Sequence, residues 1–332
     1  HPALYAWYYA MIFTTRRTIF ATMMNIRKYT ADDKALWNTF VESSKNGTFL
    51  HKRDYMEYHS DRFEDHSLLF LSEKNKVVAL LPANIKDNIL YSHQGLTYGG
   101  LILSAVTSLN DVMEMFDILK AYMSDNGISS LLYKQIPSIY HRCPSDEDDY
   151  ALWRYGAVME VCNIATTVPL HTPLLPKVEK CRRRRLREAE QYGFSICEDA
   201  SLSDFWPVLE ESLKAHHNTS PIHTLEEMEL LQSRFPENIR CYIAQRPDGT
   251  NAGGVVLYIT DEVVHVQYGH ASLQGYEEHV MEYIYFHLLE KYRNDGHTQY
   301  LDFGTSNEQA GRYLNAGLVA QKEGFGGRSI AY

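Results

Sequence analysis

Hydrophobic and polar positions along the chain switch repeatedly between a period near 3.6 and a period of 2, and the switches mark the elements. After Asn25, Ile26 to Tyr29 predicts a short strand, Asp32 to Ser44 a helix capped by Asp32, and Asp54 to Ser60 a second helical stretch. Ser67 to Glu73 and Val77 to Ile85 are apolar runs separated by Lys74-Asn75-Lys76, which reads as a hairpin. Ile89 to Leu103 reads as a further strand pair bent at Gly95, Gly99 and Gly100. Asn110 to Asn126 predicts a helix capped by Asn110 and closed by Gly127, with Val112, Met115, Phe116, Leu119 and Met123 on one face. A strand (Ser130 to Ile136), a helix (Glu147 to Tyr155) and a strand (Ala157 to Val168) complete the first half.

Prolines 169, 173 and 176 mark a connection, after which a similar order begins again. Val178 to Tyr192 predicts a basic helix ended by Gly193, and Phe194 to Glu198 a strand. Ser203 to His216 and Thr224 to Phe235 predict helices. Three strands follow at Ile239 to Gln245, Gly253 to Thr260 and Val263 to Ala271. A long helix from Tyr276 to Tyr292, a strand at Tyr300 to Phe303, a helix around Glu308 to Ala316 and a strand at Arg328 to Ala331 end the chain. The architecture is duplicated without a residue-level repeat.

Composition sets limits on this picture. A chain of 332 residues that is 45% hydrophobic has enough apolar side chain for two cores. Its 42 acidic against 32 basic residues, a net charge of −10, give no global attraction to nucleic acid or an anionic membrane, so any anion site is local. The five cysteines are odd in number and lack CxxC spacing, which reads as reduced thiols in a cytoplasmic protein. No stretch reaches the roughly 20 apolar residues of a membrane span. Residues 1–23 are aromatic and apolar with arginines after the apolar run, the reverse of a secretory signal. They read as an extension ahead of a natural start at Met23 or Met24, with no role in the fold.

Several segments carry a resemblance. In the second half they are Lys180-Cys181-Arg182-Arg183-Arg184-Arg185-Leu186-Arg187, Tyr268 after a valine-rich strand, and Asp302-Phe303-Gly304-Thr305-Ser306. Gly311-Arg312-Tyr313-Leu314-Asn315 and Lys322-Glu323-Gly324-Phe325-Gly326 complete the set, with a looser match at Tyr98-Gly99-Gly100-Leu101. With the element order, these resemble the GNAT acyltransferase superfamily, and the tandem arrangement resembles its FemAB and CelD-like branch. The resemblance implies an α+β fold of two tandem GNAT-like lobes, each a mixed, mostly antiparallel sheet flanked by helices. The first (24–168) would serve the acceptor and the second (169–332) the donor and catalysis. It implies transfer of an acyl or aminoacyl group to an amine of a cell-envelope or polysaccharide precursor such as one of peptidoglycan. No cofactor would be permanently bound; acyl-CoA or aminoacyl-tRNA would be the cosubstrate, and a small-molecule or nucleotide-linked sugar or peptide the acceptor. Two alternatives stay open, an acyl-CoA-dependent N-acetyltransferase and a non-catalytic ligand-binding protein on the same fold.

Where acetyl-CoA-using GNAT enzymes usually hold pyrophosphate on backbone amides, with Gln/Arg-x-x-Gly-x-Gly/Ala, this chain reads His270-Ala271-Ser272-Leu273-Gln274-Gly275-Tyr276-Glu277. Only Gln274-Gly275 remains of the motif, and Glu277-Glu278 repel phosphate. Nor does an extra helical pair interrupt the second half, so the coiled-coil arm of some FemA-like relatives has no counterpart.

Acyl transfer to an amine needs a proton acceptor and a donor aimed at the developing oxyanion. Asp302, at a strand end, is a candidate to orient the amine or relay its proton, or else caps the turn into Gly304. Lys322 is a candidate oxyanion or phosphate ligand ahead of Gly324 and Phe325, which would approach the substrate, or else a solvated surface lysine. Strict alternation from Val263 to Ala271 puts His265, Gln267 and Gly269 on one face, and Val264, Val266, Tyr268 and His270 on an apolar one. On that reading Tyr268 and His270 reach the cleft at the strand's end, or are structural. Arg183 and Arg187 share a helix face and repel without an anion between them, whereas Arg184 can pair with Glu188. The arginine run is therefore a candidate for the phosphates of a nucleotide-linked substrate or a tRNA end, or else a solvated helix. Tyr98, Gly99 and Gly100 are candidates to present a ring and amides to the acceptor, against a plain glycine bulge. His216, His217 and His223 lack zinc spacing, so no metal is expected.

Overall fold

The computed structural model describes residues 8–12, 24–172 and 177–332. The chain divides into two compact units, residues 1–163 with 307–313 and 331–332, and residues 164–306 with 314–330. The division falls between Asn163 and Ile164, inside what the apolar pattern joins as one strand from Ala157 to Val168. Strands Val158–Val161 and Ile164–Pro169 lie in different sheets.

Among its described residues, unit 1 is built on a four-stranded and a six-stranded sheet. The four-stranded one runs Met24–Lys28, Leu68–Ser72, Val77–Leu81, Ile102–Leu103. The six-stranded one runs Val158–Val161, Tyr8–Ile12, Ser130–Tyr133, Ile89–Tyr91, Asn84–Lys86, Glu64–Asp65. Tyr8–Ile12 thus pairs in the middle of a sheet, which no feature of its sequence announces; the expectation for residues 1–7 and 13–23 lies outside the described residues. The helix Leu109–Asp125 covers the core. Val112, Met115, Phe116, Leu119 and Met123 are all buried there with Leu68, Phe70, Ala79 and Leu81. Each such side chain, fully buried, stabilises the fold by roughly 1.5–3 kcal/mol. The cap falls two residues earlier than expected, at Ser108: Ser108 Oγ accepts from Asp111 N (3.3 Å), and Asp111 Oδ2 accepts from Ser108 N (2.7 Å).

Unit 2 contains β1 (Ile164–Pro169), α1 (Lys180–Glu190), β2 (Ser195–Glu198), α2 (Leu202–His217), α3 (Leu225–Arg234), β3 (Ile239–Gln245), β4 (Asn251–Ile259), β5 (Val263–Ala271), α4 (Leu273–Glu277), α5 (Val280–Asn294), β6 (Tyr300–Thr305), α6 (Ala316–Glu323) and β7 (Arg328–Ala331). Its strands make one sheet in the order β2-β3-β4-β5-β6-β1-β7. β5 and β6 are parallel, while β2 to β5 and the β6–β1 pair are antiparallel. Val280, Ile284 and Leu288 of α5 bury against Val255, Leu257, Val264, Leu301 and Phe303 of the sheet.

Two expected helices change. The long one from Tyr276 breaks into α4 and α5 at His279, which adopts φ 59°. The one around Glu308 to Ala316 does not form, because Gln309, Ala310 and Gly311 all take positive φ. The helix comes later, as α6, and carries Lys322 on its last turn, not in the glycine-rich turn beyond it.

Candidate active site

β5 and β6 are hydrogen-bonded through only three register pairs, Val263–Tyr300, Val264–Leu301 and His265–Asp302. Beyond them the strands part, β5 continuing against β4 and β6 against β1. The last rung of this ladder is chemical. Asp302 is 1% exposed; its Oδ1 accepts from Gly304 N at 2.8 Å and its Oδ2 lies 2.8 Å from His265 Nδ1. A carboxylate can only accept, so Nδ1 carries a proton, and in the neutral tautomer this fixes, His265 Nε2 holds the lone pair. Leu301 and Phe303 on either side point into the core, which holds Asp302 and Gly304 on the opposite face.

A β-bulge beyond this rung brings Tyr268 and His270 to the face of His265. Val256 pairs with Tyr268 but the adjacent Leu257 pairs with Val266, so Gln267 is an extra residue in β5. Strict alternation fails across it. Val264, Val266 and Ala271 pack on the α5 side, and a Cβ on Gly269 would meet Tyr285 Oη of α5 at 2.7 Å. Tyr268 and His270 instead face α2, where Tyr268 meets the Trp206 ring and His270 Nδ1 lies 3.0 Å from Ser212 Oγ. His265 shares that face. Alternation alone separates it from Tyr268 and His270; the valine-rich neighbourhood hides the bulge.

Both expected residues on β5 are engaged. Tyr268 Oη lies 2.8 Å from His223 Nδ1, and burial pushes its phenol up to about 12. His270 is held between Ser212 and Tyr276.

Lys322 reaches the same strand end. Its Nζ donates to Gly304 O (2.9 Å) and Thr305 O (2.7 Å), leaving one of three N–H groups for another acceptor. Burial pushes its ammonium down to about 8, opposed by the nearby Asp302 carboxylate. Gly324 and Phe325 lie inward: a Cβ on Gly324 would meet Arg182 Nε at 3.0 Å, and Phe325, 2% exposed, packs against Tyr285, Phe286 and Phe303.

Of the arginine run, Arg182 is the buried member. Its Nη1 contacts Glu282 Oε1 at 2.5 Å and its guanidinium lies over the Phe325 ring. Arg185 also reaches Glu282, at 3.3 Å. Arg183, Arg184 and Arg187 are exposed, and Arg184 pairs with Glu188 at 3.5 Å. At the α4 turn, the amides of Gly275, Tyr276, Glu278 and His279 donate to Ser272 Oγ, Ser272 O, Gln274 O and Tyr276 O. Glu278 is buried beside them, bonded to Arg246 at 2.8 Å. Those four amides are not available to a pyrophosphate.

In unit 1, Tyr98 is 3% exposed with its Oη donating to Thr48 Oγ1 at 3.2 Å. A Cβ on Gly99 would fall 1.8 Å from Ser92 O, and one on Gly100 (φ +87°) 2.8 Å from Lys134 O. These glycines let backbones touch, which explains their type without a ligand. Among the described residues no three His, Cys, Asp or Glu groups are placed to hold a metal ion, and no helix is long and apolar enough to cross a membrane.

Residues 178–313 match the family model of the acetyltransferase (GNAT) domain. Among solved structures the chain is similar to FemX, with a TM-score of 0.62 over 92% of this chain and 94% of that one, at 11% identity. Residues 178–313 thus carry a GNAT acetyltransferase-type domain, and the chain as a whole shares its fold with FemX. The GNAT fold also aligns with L-PGS from Bacillus licheniformis (TM-score 0.58, 12% identity, 91% of each chain). It aligns with the C-terminal domain (DUF2156) of a putative lysylphosphatidylglycerol synthetase from Agrobacterium fabrum as well (TM-score 0.53, 12% identity, 91% of this chain and 90% of that one). At these identities the likeness is one of fold. No curated protein sequence matches the chain. The matched GNAT domain includes β5, α5 and β6, so the His265–Asp302 pair lies inside it.

Proposed function

We propose that the chain transfers an acyl or aminoacyl group to an amine of a cell-envelope or polysaccharide precursor, with unit 2 carrying the chemistry and unit 1 serving the acceptor. The observation that carries this is the His265–Asp302 pair at the rung where β5 and β6 part, within an acyltransferase domain. The neutral amine attacks the acyl carbonyl carbon, His265 Nε2 takes the proton its nitrogen loses as the C–N bond forms, and Asp302 fixes the tautomer and stabilises the imidazolium. The remaining N–H of Lys322 donates to the oxyanion as the tetrahedral intermediate forms. Collapse expels the donor's leaving group, which takes the proton back from His265. Tyr268 and His270 shape the α2 side of the site.

An aminoacyl-tRNA donor suits the site better than acyl-CoA, because the α4 turn uses its own amides and buries Glu278 where a pyrophosphate would sit. The putative lysylphosphatidylglycerol synthetase domain shares the fold, which supports aminoacyl transfer over acetylation. The donor carriers to be compared are aminoacyl-tRNA and acyl-CoA, with Arg183 and Arg187 as the exposed cations nearest to such a role. The test is single-turnover transfer from each donor to UDP-linked peptide and amino-sugar acceptors, with wild type and His265→Gln in parallel. Transfer by wild type that His265→Gln retains undiminished removes the proposed base; transfer only from acetyl-CoA removes the aminoacyl reading.

A further inference from the structure

Unit 1 contains a polar pocket of about 170 Å³ between the segment following Ser130–Tyr133 and the start of the helix Glu147–Arg154. Its lining includes His141, Ser145, Asp146, Asp148 and Asp149. Buried polar groups in folded proteins are almost always hydrogen-bonded, and here several are not. His141 has a side chain 6% exposed, and burial lowers its basicity toward the neutral ring; its Nε2 lies 3.0 Å from Ile136 O, and a carbonyl only accepts, so in that ring Nε2 holds the proton and Nδ1 a bare lone pair. Nδ1 has no hydrogen-bond partner and stands 4.0 Å from Asp146 Oδ1. Two acceptors therefore face each other with no proton between them. Ser145 is 1% exposed and its Oγ is unpartnered, as is the buried Oδ1 of Asp149.

The missing partner must supply several protons and a positive charge. Three carboxylates meet at the pocket, and burial pushes Asp148 up to about 6 and Asp149 up to about 7, which a bound cation would reverse. Tyr133 Oη donates to Asp148 at 2.6 Å, which accounts for one oxygen only. Lys45 is already bonded to Glu147 at 2.5 Å. A metal ion is disfavoured because no three of these groups are arranged as ligands among the described residues. An ammonium group carries three donors and one charge on a compact head, and its alkyl stem tolerates an apolar neck.

We propose that this pocket binds a primary alkylammonium group, either of a free amine or of a lysine-type side chain in a peptide. The bound nitrogen is protonated and its lone pair occupied, so the pocket anchors a cation and is not a place where an amine attacks. The proposal stands without the transfer reading, since it rests on unit 1 alone.

The test is isothermal titration of the full chain with n-butylammonium, with 1,5-diaminopentane and with an Nα-acetyl-lysine amide, at fixed ionic strength. Tetramethylammonium, which has the charge and no N–H, and n-butanol serve as controls. One saturable site for the primary amines is expected, with tetramethylammonium at least about tenfold weaker, the worth of charged hydrogen bonds. Asp149→Asn should weaken it by a further factor of about 10 to 100. Ser145→Ala should weaken it severalfold with the melting temperature unchanged, because its hydroxyl has no partner to lose, so the test survives if the aspartate variant does not fold. Preference for the diamine points to a free amine as the source, and preference for the lysine derivative to a peptide. No saturable binding up to about 10 mM, the scale of the weakest specific sites, overturns the proposal and leaves the pocket to water. Equal binding of tetramethylammonium overturns it too, as do Ser145→Ala and Asp149→Asn binding like wild type.

Discussion

His265 and Asp302 face each other across the last rung of the β5–β6 ladder, Nδ1 to Oδ2 at 2.8 Å, with the next residue pair already beyond pairing distance. Because the carboxylate is buried and its other oxygen is held by Gly304 N, the imidazole has one stable orientation. The lone pair of Nε2 is thereby set in place by backbone geometry. If this pair provides the general base, His265→Ala should lower turnover by about 10² to 10⁴, the range of general-base contributions. Asp302→Asn keeps the shape but donates where the carboxylate accepted, and should lower turnover comparably with little change in KM. Steady-state kinetics on both variants, with thermal melts to confirm folding, check this; a turnover within twofold of wild type for either sinks the role.

Lys322 makes a pH prediction. Its folded pKa is about 8 against an ordinary 10.5, lowered by burial. Below about 8 the ammonium is charged in both states; between about 8 and 10.5 the unfolded chain binds more protons than the folded one. Stability from this group therefore rises with pH across that window, and the neutral amine still donates to Gly304 O and Thr305 O. Lys322→Met removes the rise and leaves two carbonyls without a donor, costing about 1–3 kcal/mol. Denaturant melts of wild type and Lys322→Met from pH 7 to 10 should diverge progressively, wild type gaining relative to the variant. Parallel curves mean that Lys322 is not buried in this way. The sequence suggested an oxyanion or phosphate ligand or else a solvated surface lysine; its two carbonyl bonds give it a structural part as well.

The elements of unit 2 were mostly legible from the apolar pattern, because strands such as Ile239–Gln245 and Val263–Ala271 are apolar-rich runs between clear turn signals. What failed was local. The bulge at Gln267 inverts the faces of Tyr268 and His270 relative to His265, and no single-residue property marks a bulge in advance. Asp302 was found by its position at a strand end, but its partner was hidden because His265 lies 37 residues away on a strand paired only by tertiary contact. A histidine in register with the aspartate of a parallel neighbour was the available signal, and reading it requires knowing the strand pairing. In the arginine run, sequence could not say which side chain turns inward. Helix spacing gives the faces but not the one facing Glu282.

That inward arginine separates two roles on α1. Arg182 and Glu282 have side chains 10% and 8% exposed, so removing one partner leaves a buried charge. Arg182→Met should cost about 3–5 kcal/mol, whereas Arg182→Met with Glu282→Leu should recover most of it. Arg183→Ala and Arg187→Ala, both exposed, should leave the melting temperature within about 1–2 °C, as surface changes usually do. If the exposed pair holds a donor phosphate, these variants raise KM for that donor in a salt-dependent way. Unaltered KM at low ionic strength would assign α1 to the scaffold alone.

Gly304 links the geometry of the pair to the backbone. It follows Asp302 by two residues, donates its N–H to Asp302 Oδ1, accepts from Lys322 and adopts φ +70°. A Cβ there would lie 3.2 Å from His265 Cε1. Gly304→Ala therefore meets two obstacles, a left-handed backbone costing about 1–2 kcal/mol and a methyl group against the imidazole. The ring yields more readily than the strand, since a side-chain torsion is softer than a packed sheet. His265 should turn away from Asp302, so turnover should fall by about tenfold or more, the effect of misaligning a base, while the melt shifts by only several degrees. Histidine side-chain NMR separates the steps: the Nδ1–H resonance held by Asp302 in wild type should broaden or vanish in Gly304→Ala. A variant that keeps that resonance but loses turnover would place the role of Gly304 in Lys322, through the carbonyl it offers, and not in His265.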